Sequence, residues 1–134
     1  MKLFKTIFLT LVTCFACLIL FFFISNSYVL PWEKEEAIET TIKWGGLNEL
    51  PKDIKNLKID KRGSIFTRQF IIEFEVNHLE QINYWIHKSK RLKDNTPTID
   101  KGKKIFLIYP GEQGANGGKV EIHDKEVKIN MSWS

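Results

Sequence analysis

From Thr6 to Trp32 the chain runs for 27 residues without a charged side chain. Within it, residues 7–24 hold 13 Ile, Leu, Val or Phe. At a rise of about 1.5 Å per residue, a helix over Ile7–Leu30 is roughly 36 Å long, enough for a hydrocarbon core of about 30 Å. The 13 residues together favour insertion by very roughly 4–8 kcal/mol. Within residues 7–24 the only hydroxyl or amide side chains are those of threonine, whose hydroxyls can bond back to helix carbonyls. Tyr28 and Trp32 fall where an interfacial aromatic belt forms. This one feature divides the chain into residues 1–6, an anchor over 7–30, and a domain over 31–134.

The flanks set an orientation. Lys2 and Lys5 precede the stretch, and Glu33, Lys34, Glu35 and Glu36 follow it. The positive-inside rule then predicts a cytoplasmic N-terminus and an extracytoplasmic domain. Two alternatives stand beside the uncleaved anchor. One is a signal peptide cleaved after Ser27, although the apolar run exceeds the usual core of about 7–15 residues. The other is acylation at Cys14 or Cys17, although the chain stays apolar beyond both. Neither cysteine lies in the outer domain, so a thiol nucleophile and Cys-ligated zinc are excluded there.

The whole-chain charge of +4 misleads for the same reason. Lys2 and Lys5 supply half of it, and the domain that remains is close to neutral. That balance, on the far side of a membrane, argues against a nucleic-acid partner.

Within residues 31–134, hydrophobic periodicity predicts an α+β domain in the order α-β-β-α-β-β-β, an antiparallel sheet with about two helices on one face. Glu33–Trp44 reads as a helix capped by Gly45-Gly46. Leu57 and Ile59 mark a first strand, followed by a turn at Lys61–Ser64. Phe70, Ile72, Phe74 and Val76 alternate with Gln69, Ile71, Glu73 and Glu75 as a half-buried strand. Asn77 with Glu80 suggests a capping box opening a helix whose apolar face is Leu79, Ile82, Trp85 and Ile86 and whose C-terminus is basic. Lys93–Gly102 reads as a loop, and Ile105–Tyr109 as a central strand. If Asp124-Lys125 is a two-residue turn, Ile122 pairs with Val127 and Val120 with Ile129.

The motifs point to no catalytic, metal or cofactor site. Residues 111–118 are glycine-rich but lack the spacing of a phosphate loop, and they lead into a strand rather than a helix. His78, His87 and His123 do not have metal-ligand spacing. Glu73 and Glu75 share one strand face, as solvated acids do. Two groups remain as binding candidates. The basic cluster Lys88, Lys90, Arg91 and Lys93, extended by Lys101, Lys103 and Lys104, suits an anionic surface component. Glu112, Gln113 and Asn116 sit in the glycine-rich loop, where a rigid sheet often displays function.

Leu47–Pro51, the passage Phe70–Ile86, the segment Pro110-Gly111 to Gly118, and the closing Met131-Ser132-Trp133-Ser134 resemble short bacterial envelope proteins. Those carry a membrane or lipid anchor ahead of a small α+β domain. The resemblance spans most of residues 45–134 and implies a bacterial source but no activity. The expected function is a non-catalytic binding or interaction module of the cell envelope, held in the bilayer by residues 7–30. A membrane-anchored immunity protein against a secreted toxin is one alternative. A small hydrolase with a site near residues 110–118 is the other.

Overall fold

The computed structural model describes all 134 residues. Its first element, helix α1 (Lys2–Ser27), is long and apolar enough to cross a membrane and buries none of its side chains against the rest of the chain. Thr6, Thr10 and Thr13 donate their hydroxyls to the carbonyls of Lys2, Thr6 and Leu9, as anticipated for hydroxyls in an apolar helix. A short 3-10 turn, Pro31–Glu33, then leads into helix α2 (Lys34–Gly45). That helix ends where Gly46 takes a left-handed conformation, φ 56°. A side chain disfavours that conformation, which is why glycine stands there.

The rest is a six-stranded antiparallel sheet and one more helix. Strands β1 (Lys55–Gly63) and β2 (Arg68–Glu75) form a hairpin, and helix α3 (Leu79–Lys88) follows. Then come β3 (Thr98–Asp100), β4 (Lys103–Ile108), β5 (Gly117–His123) and β6 (Glu126–Trp133). The spatial order is β1-β2-β6-β5-β4-β3, every pair antiparallel. This is an α+β domain, as the periodicity predicts.

Both helices lie on one sheet face. Ile72, Phe74, Ile129, Val120, Ile108 and Phe106 point inward from the strands and meet Ile82 and Trp85 of α3, with Leu47 and Leu92. Ile38, Ile42 and Trp44 of α2 pack on the same cluster. Trp44 lies over Phe70 at 5.6 Å between ring centres. The β5–β6 register is the one the alternation predicts, Ile122 opposite Val127 and Val120 opposite Ile129.

Several expectations are corrected. Residues 61–63 are not a turn but the end of β1, and the turn is Ser64–Thr67, closed by Ser64 N–H to the Thr67 carbonyl at 2.9 Å. Part of the expected loop 93–102 is β3, a three-residue edge strand on β4. That places β4 next to the edge instead of at the centre, and Leu107 is accordingly 54% exposed. The helix after β2 is capped by Gln81 rather than Glu80. Its amide oxygen accepts the N–H groups of Asn77 and His78 at 3.1 and 3.0 Å. Leu79, in the first turn, is exposed instead of joining the apolar face. Lys90 and Arg91 lie beyond the helix, which closes at Ser89.

Candidate functional site

Of the two groups of predicted binding residues, Lys90 and Arg91 of the basic cluster meet Glu112 of the glycine-rich loop. Glu112 Oε1 lies 3.2 Å from the Arg91 guanidinium and 3.3 Å from Lys90 Nζ. Arg91 also donates to the Pro110 carbonyl at 2.8 Å. These bonds, Arg91 first, hold the Glu112 carboxyl below its usual range. The backbone adds to the tie: Glu112 N–H donates to the Trp44 carbonyl at 2.7 Å, and Arg91 N–H to the Gly46 carbonyl. Asn116 donates from its side-chain amide to Ser134 Oγ and from its backbone to the Ser132 carbonyl. The stretch 110–116 is therefore bonded to α2, to the segment after α3 and to β6. Only Gln113 and Gly114, at its apex, are exposed without such bonds.

The basic cluster is also divided. Lys88 is exposed with its ammonium 5.6 Å above the Tyr84 ring, and Lys93 is exposed. Lys101, Lys103 and Lys104 sit at the start of β4, whereas Arg91 reaches Pro110 just beyond its end. At about 3.3 Å per residue, the strand separates the two groups by roughly 17 Å. They do not form one surface.

The sheet face away from the helices is a stronger candidate, and sequence reasoning missed it as a unit. Its rows follow from the register. Lys58, Glu73, Lys128 and Glu121 stand side by side across β1, β2, β6 and β5, alternating in sign. In the next row come Asp60, Ile71, Asn130, Lys119 and Leu107. Gln69 bridges rows by donating to Asn130 Oδ1 at 2.7 Å, and Ile71 is buried there at 5% exposure. Lys128 Nζ meets Glu73 at 2.7 Å and Lys119 Nζ meets Glu121 at 3.4 Å. The Glu73–Lys128 pair lies directly across β2 and β6 and supports the sheet, whereas Lys119 and Glu121 are neighbours along β5. A depression of about 520 Å³ at one end of this face is lined by these charges with Glu75, Lys103, His123 and Glu126. A second hollow, about 600 Å³, lies between residues 48–52 and α3. No group of three or more His, Cys, Asp or Glu side chains is arranged to hold a metal ion.

The Glu73–Lys128 pair makes a testable statement about pH. The Lys128 hydrogen bond pulls the Glu73 carboxyl below its ordinary 4.5, and the same bond raises Lys128 above 10.5. For Glu73, the stabilisation is fully present above 4.5 and is lost as pH falls through the lowered folded value. For Lys128, it is fully present below 10.5 and is lost as pH rises through the raised value. A Glu73→Gln, Lys128→Met double-mutant cycle is expected to give about 0.2–1 kcal/mol of coupling near neutrality, because both side chains are about 40% exposed. Urea titrations at acid and neutral pH check this, and coupling that persists in strong acid contradicts it.

Comparison with protein-family models, with curated proteins and with solved structures finds no match to this chain.

Proposed function

We propose that the chain is a single-pass membrane protein with a cytoplasmic N-terminus. Its extracytoplasmic domain is a binding module that presents the open face of its sheet to another protein of a bacterial cell envelope. The observation that carries this is the one-sided architecture. Helices cover one face of a six-stranded sheet, and the other offers alternating charges beside the exposed apolar Leu107 and Tyr109. An open surface of mixed charge and apolar contact suits recognition of a protein surface, with the charges setting register and excluding wrong partners. The glycine-rich loop is a weaker basis for a hydrolase, since its one carboxylate is engaged by Arg91 and Lys90. A toxin as the partner would make the module an immunity protein, and the charged face fits that chemistry equally.

The test is affinity capture of the full-length protein from detergent-solubilised envelope. Wild type is expected to retain a partner that Leu107→Asp with Lys128→Glu releases at least roughly tenfold, about 1.4 kcal/mol. Lys88→Glu, on the helical side, is expected to retain it. Release by Lys88→Glu alone, or no partner in any condition, overturns the assignment to the open face. A reporter fused after Ser134 that is active only in the cytoplasm overturns the orientation.

A further inference from the structure

The end of the β1–β2 hairpin combines three features that no other turn of the domain shares. The first is an apolar tip. Ile65 is 73% exposed and Phe66 77% exposed, adjacent in sequence and held outward by a closed turn. Within that turn Ser64 Oγ and Thr67 Oγ1 are 3.0 Å apart and Phe66 N–H donates to Ser64 Oγ. The turn is therefore a built structure that displays two large apolar side chains to its surroundings. By contrast, the turns at the opposite end of the sheet are Asp124-Lys125 and Lys101-Gly102.

The second feature is a basic collar. Arg62 and Arg68, on either side of the tip, are both exposed. Trp133, opposite Arg68 on β6, is 43% exposed at the same end of the sheet. Arginine and aromatic residues around an apolar tip form the side-chain set of a membrane interface, where guanidinium groups reach phosphates and rings sit at headgroup level.

The third is placement. Lys61, two residues before the end of β1, has a side chain only 8% exposed. Its ammonium donates to the carbonyl of Ser25 at 2.6 Å, in the last turn of α1, and lies 3.8 Å from Glu33. The end of the long apolar helix is thus fastened to the same hairpin that carries the tip. Ile65 and Phe66 are four and five positions after Lys61, so the tip lies within roughly 18 Å of the Lys61 backbone, whose side chain reaches the helix end. Tyr28 and Trp32, at the helix exit, are 67% and 74% exposed and belong to the same zone.

We infer that the Ile65–Phe66 tip is a second membrane contact. It enters the interfacial layer of the bilayer that holds α1, while Arg62 and Arg68 face lipid phosphates. The domain then rests on the membrane by this end of its sheet, and its open face stands at a set angle to the bilayer instead of turning freely on a tether. The inference depends on α1 being a retained membrane anchor.

The experiment uses the full-length protein with Cys14→Ser and Cys17→Ser, so that one introduced cysteine carries an environment-sensitive fluorophore. The label is placed at Phe66 (F66C), at Phe15 in α1 (F15C) or at Lys125 in the far turn (K125C). Each protein is reconstituted into vesicles of phosphatidylcholine and phosphatidylglycerol, with or without lipids spin-labelled high on the acyl chain. The label at position 66 is expected to show blue-shifted emission and a roughly twofold loss of intensity with spin-labelled lipid, whereas position 125 is unchanged. Quenching at 15 without quenching at 66 overturns the inference and leaves the anchor standing. Quenching at neither 15 nor 66 overturns both. Equal quenching at 66 and 125 also overturns it, since the domain would then touch lipid without a preferred end.

Discussion

Trp85→Ala is expected to cost the domain about 3–5 kcal/mol, a large share of the 5–15 kcal/mol that stabilises a domain of this size. The side chain is 1% exposed and meets Phe74 edge-on at 6.1 Å, with the rings at 87°. Its loss opens a cavity beneath α3 that Ile82 and Leu92, already buried, cannot fill without moving the helix. The indole also closes a ring of hydrogen bonds. Trp85 Nε1–H donates to the Asn48 carbonyl at 2.9 Å, Asn48 N–H donates to Ser89 Oγ, and Ser89 Oγ–H donates to the Trp85 carbonyl at 2.8 Å. Through this ring the helix end is tied to the segment that follows α2. Trp85→Phe keeps most of the packing and breaks the ring at one bond, so it is expected to cost only about 1–2 kcal/mol. Urea unfolding of the full-length protein in mild detergent, followed by near-ultraviolet circular dichroism, separates the two. Equal losses for the two variants would mean that the hydrogen bond, not the volume, is what Trp85 contributes.

Trp85 is also a fair measure of what a sequence exposes to reading. Its place on an apolar helical face is legible from the spacing to Ile82 and Ile86, because a helix that buries one stripe repeats at 3.6 residues. Its partners Asn48 and Ser89 are not legible, because polar residues in loops carry no periodicity that names a distant bond. The same division runs through the sheet. The β5–β6 register follows from local alternation around Asp124-Lys125, since a one-residue slip would turn Val127, Ile129 and Met131 to solvent. The insertion of β6 between β2 and β5 does not follow from local pattern, as it depends on pairing between residues 51 to 65 positions apart, from Glu75 with Glu126 to Arg68 with Trp133. The strand edges mislead in a consistent way. Lys61-Arg62-Gly63 reads as a turn because edge strands are defended with charge, and Thr98-Ile99-Asp100 is too short to show alternation. Lys61 is the sharpest case. A lysine beside an arginine and a glycine looks like surface, and only the position of Ser25 shows that its ammonium is enclosed. The candidate site was half legible. Glu73 and Glu75 were readable as one exposed strand face, but the alternating row they join needs the order of four strands.

Gly118→Ala is expected to cost about 3 kcal/mol, near the upper end for overpacking, although from sequence this residue reads as the last of a glycine-rich connection. It is instead buried within β5, paired with Ile108 on one side and Met131 on the other. A methyl group there would lie 1.8 Å from the Asn130 carbonyl oxygen and 3.0 Å from the Met131 Cα. Both are backbone atoms of β6, so no side-chain rotation relieves the overlap and the strands themselves must separate. Gly114→Ala provides the contrast. Nothing lies within 4 Å of its added methyl, and only its φ of 77° resists a side chain, so it is expected to cost about 1 kcal/mol. Amide exchange gives the sharper readout. Gly118→Ala is expected to speed exchange at Val120 and Ile129, on either side of the β5–β6 ladder, whereas Gly114→Ala leaves both unchanged. If the two alanines cost the same, the close approach of β5 to β6 is wrong. The consequence reaches the open face, because Lys119 and Glu121 leave β5 immediately after this glycine and meet Asn130 and Lys128 across the same ladder. A strand displaced at Gly118 breaks the charge alternation at its centre. Gly118→Ala is therefore expected to weaken any partner held by that face, and Gly114→Ala to spare it.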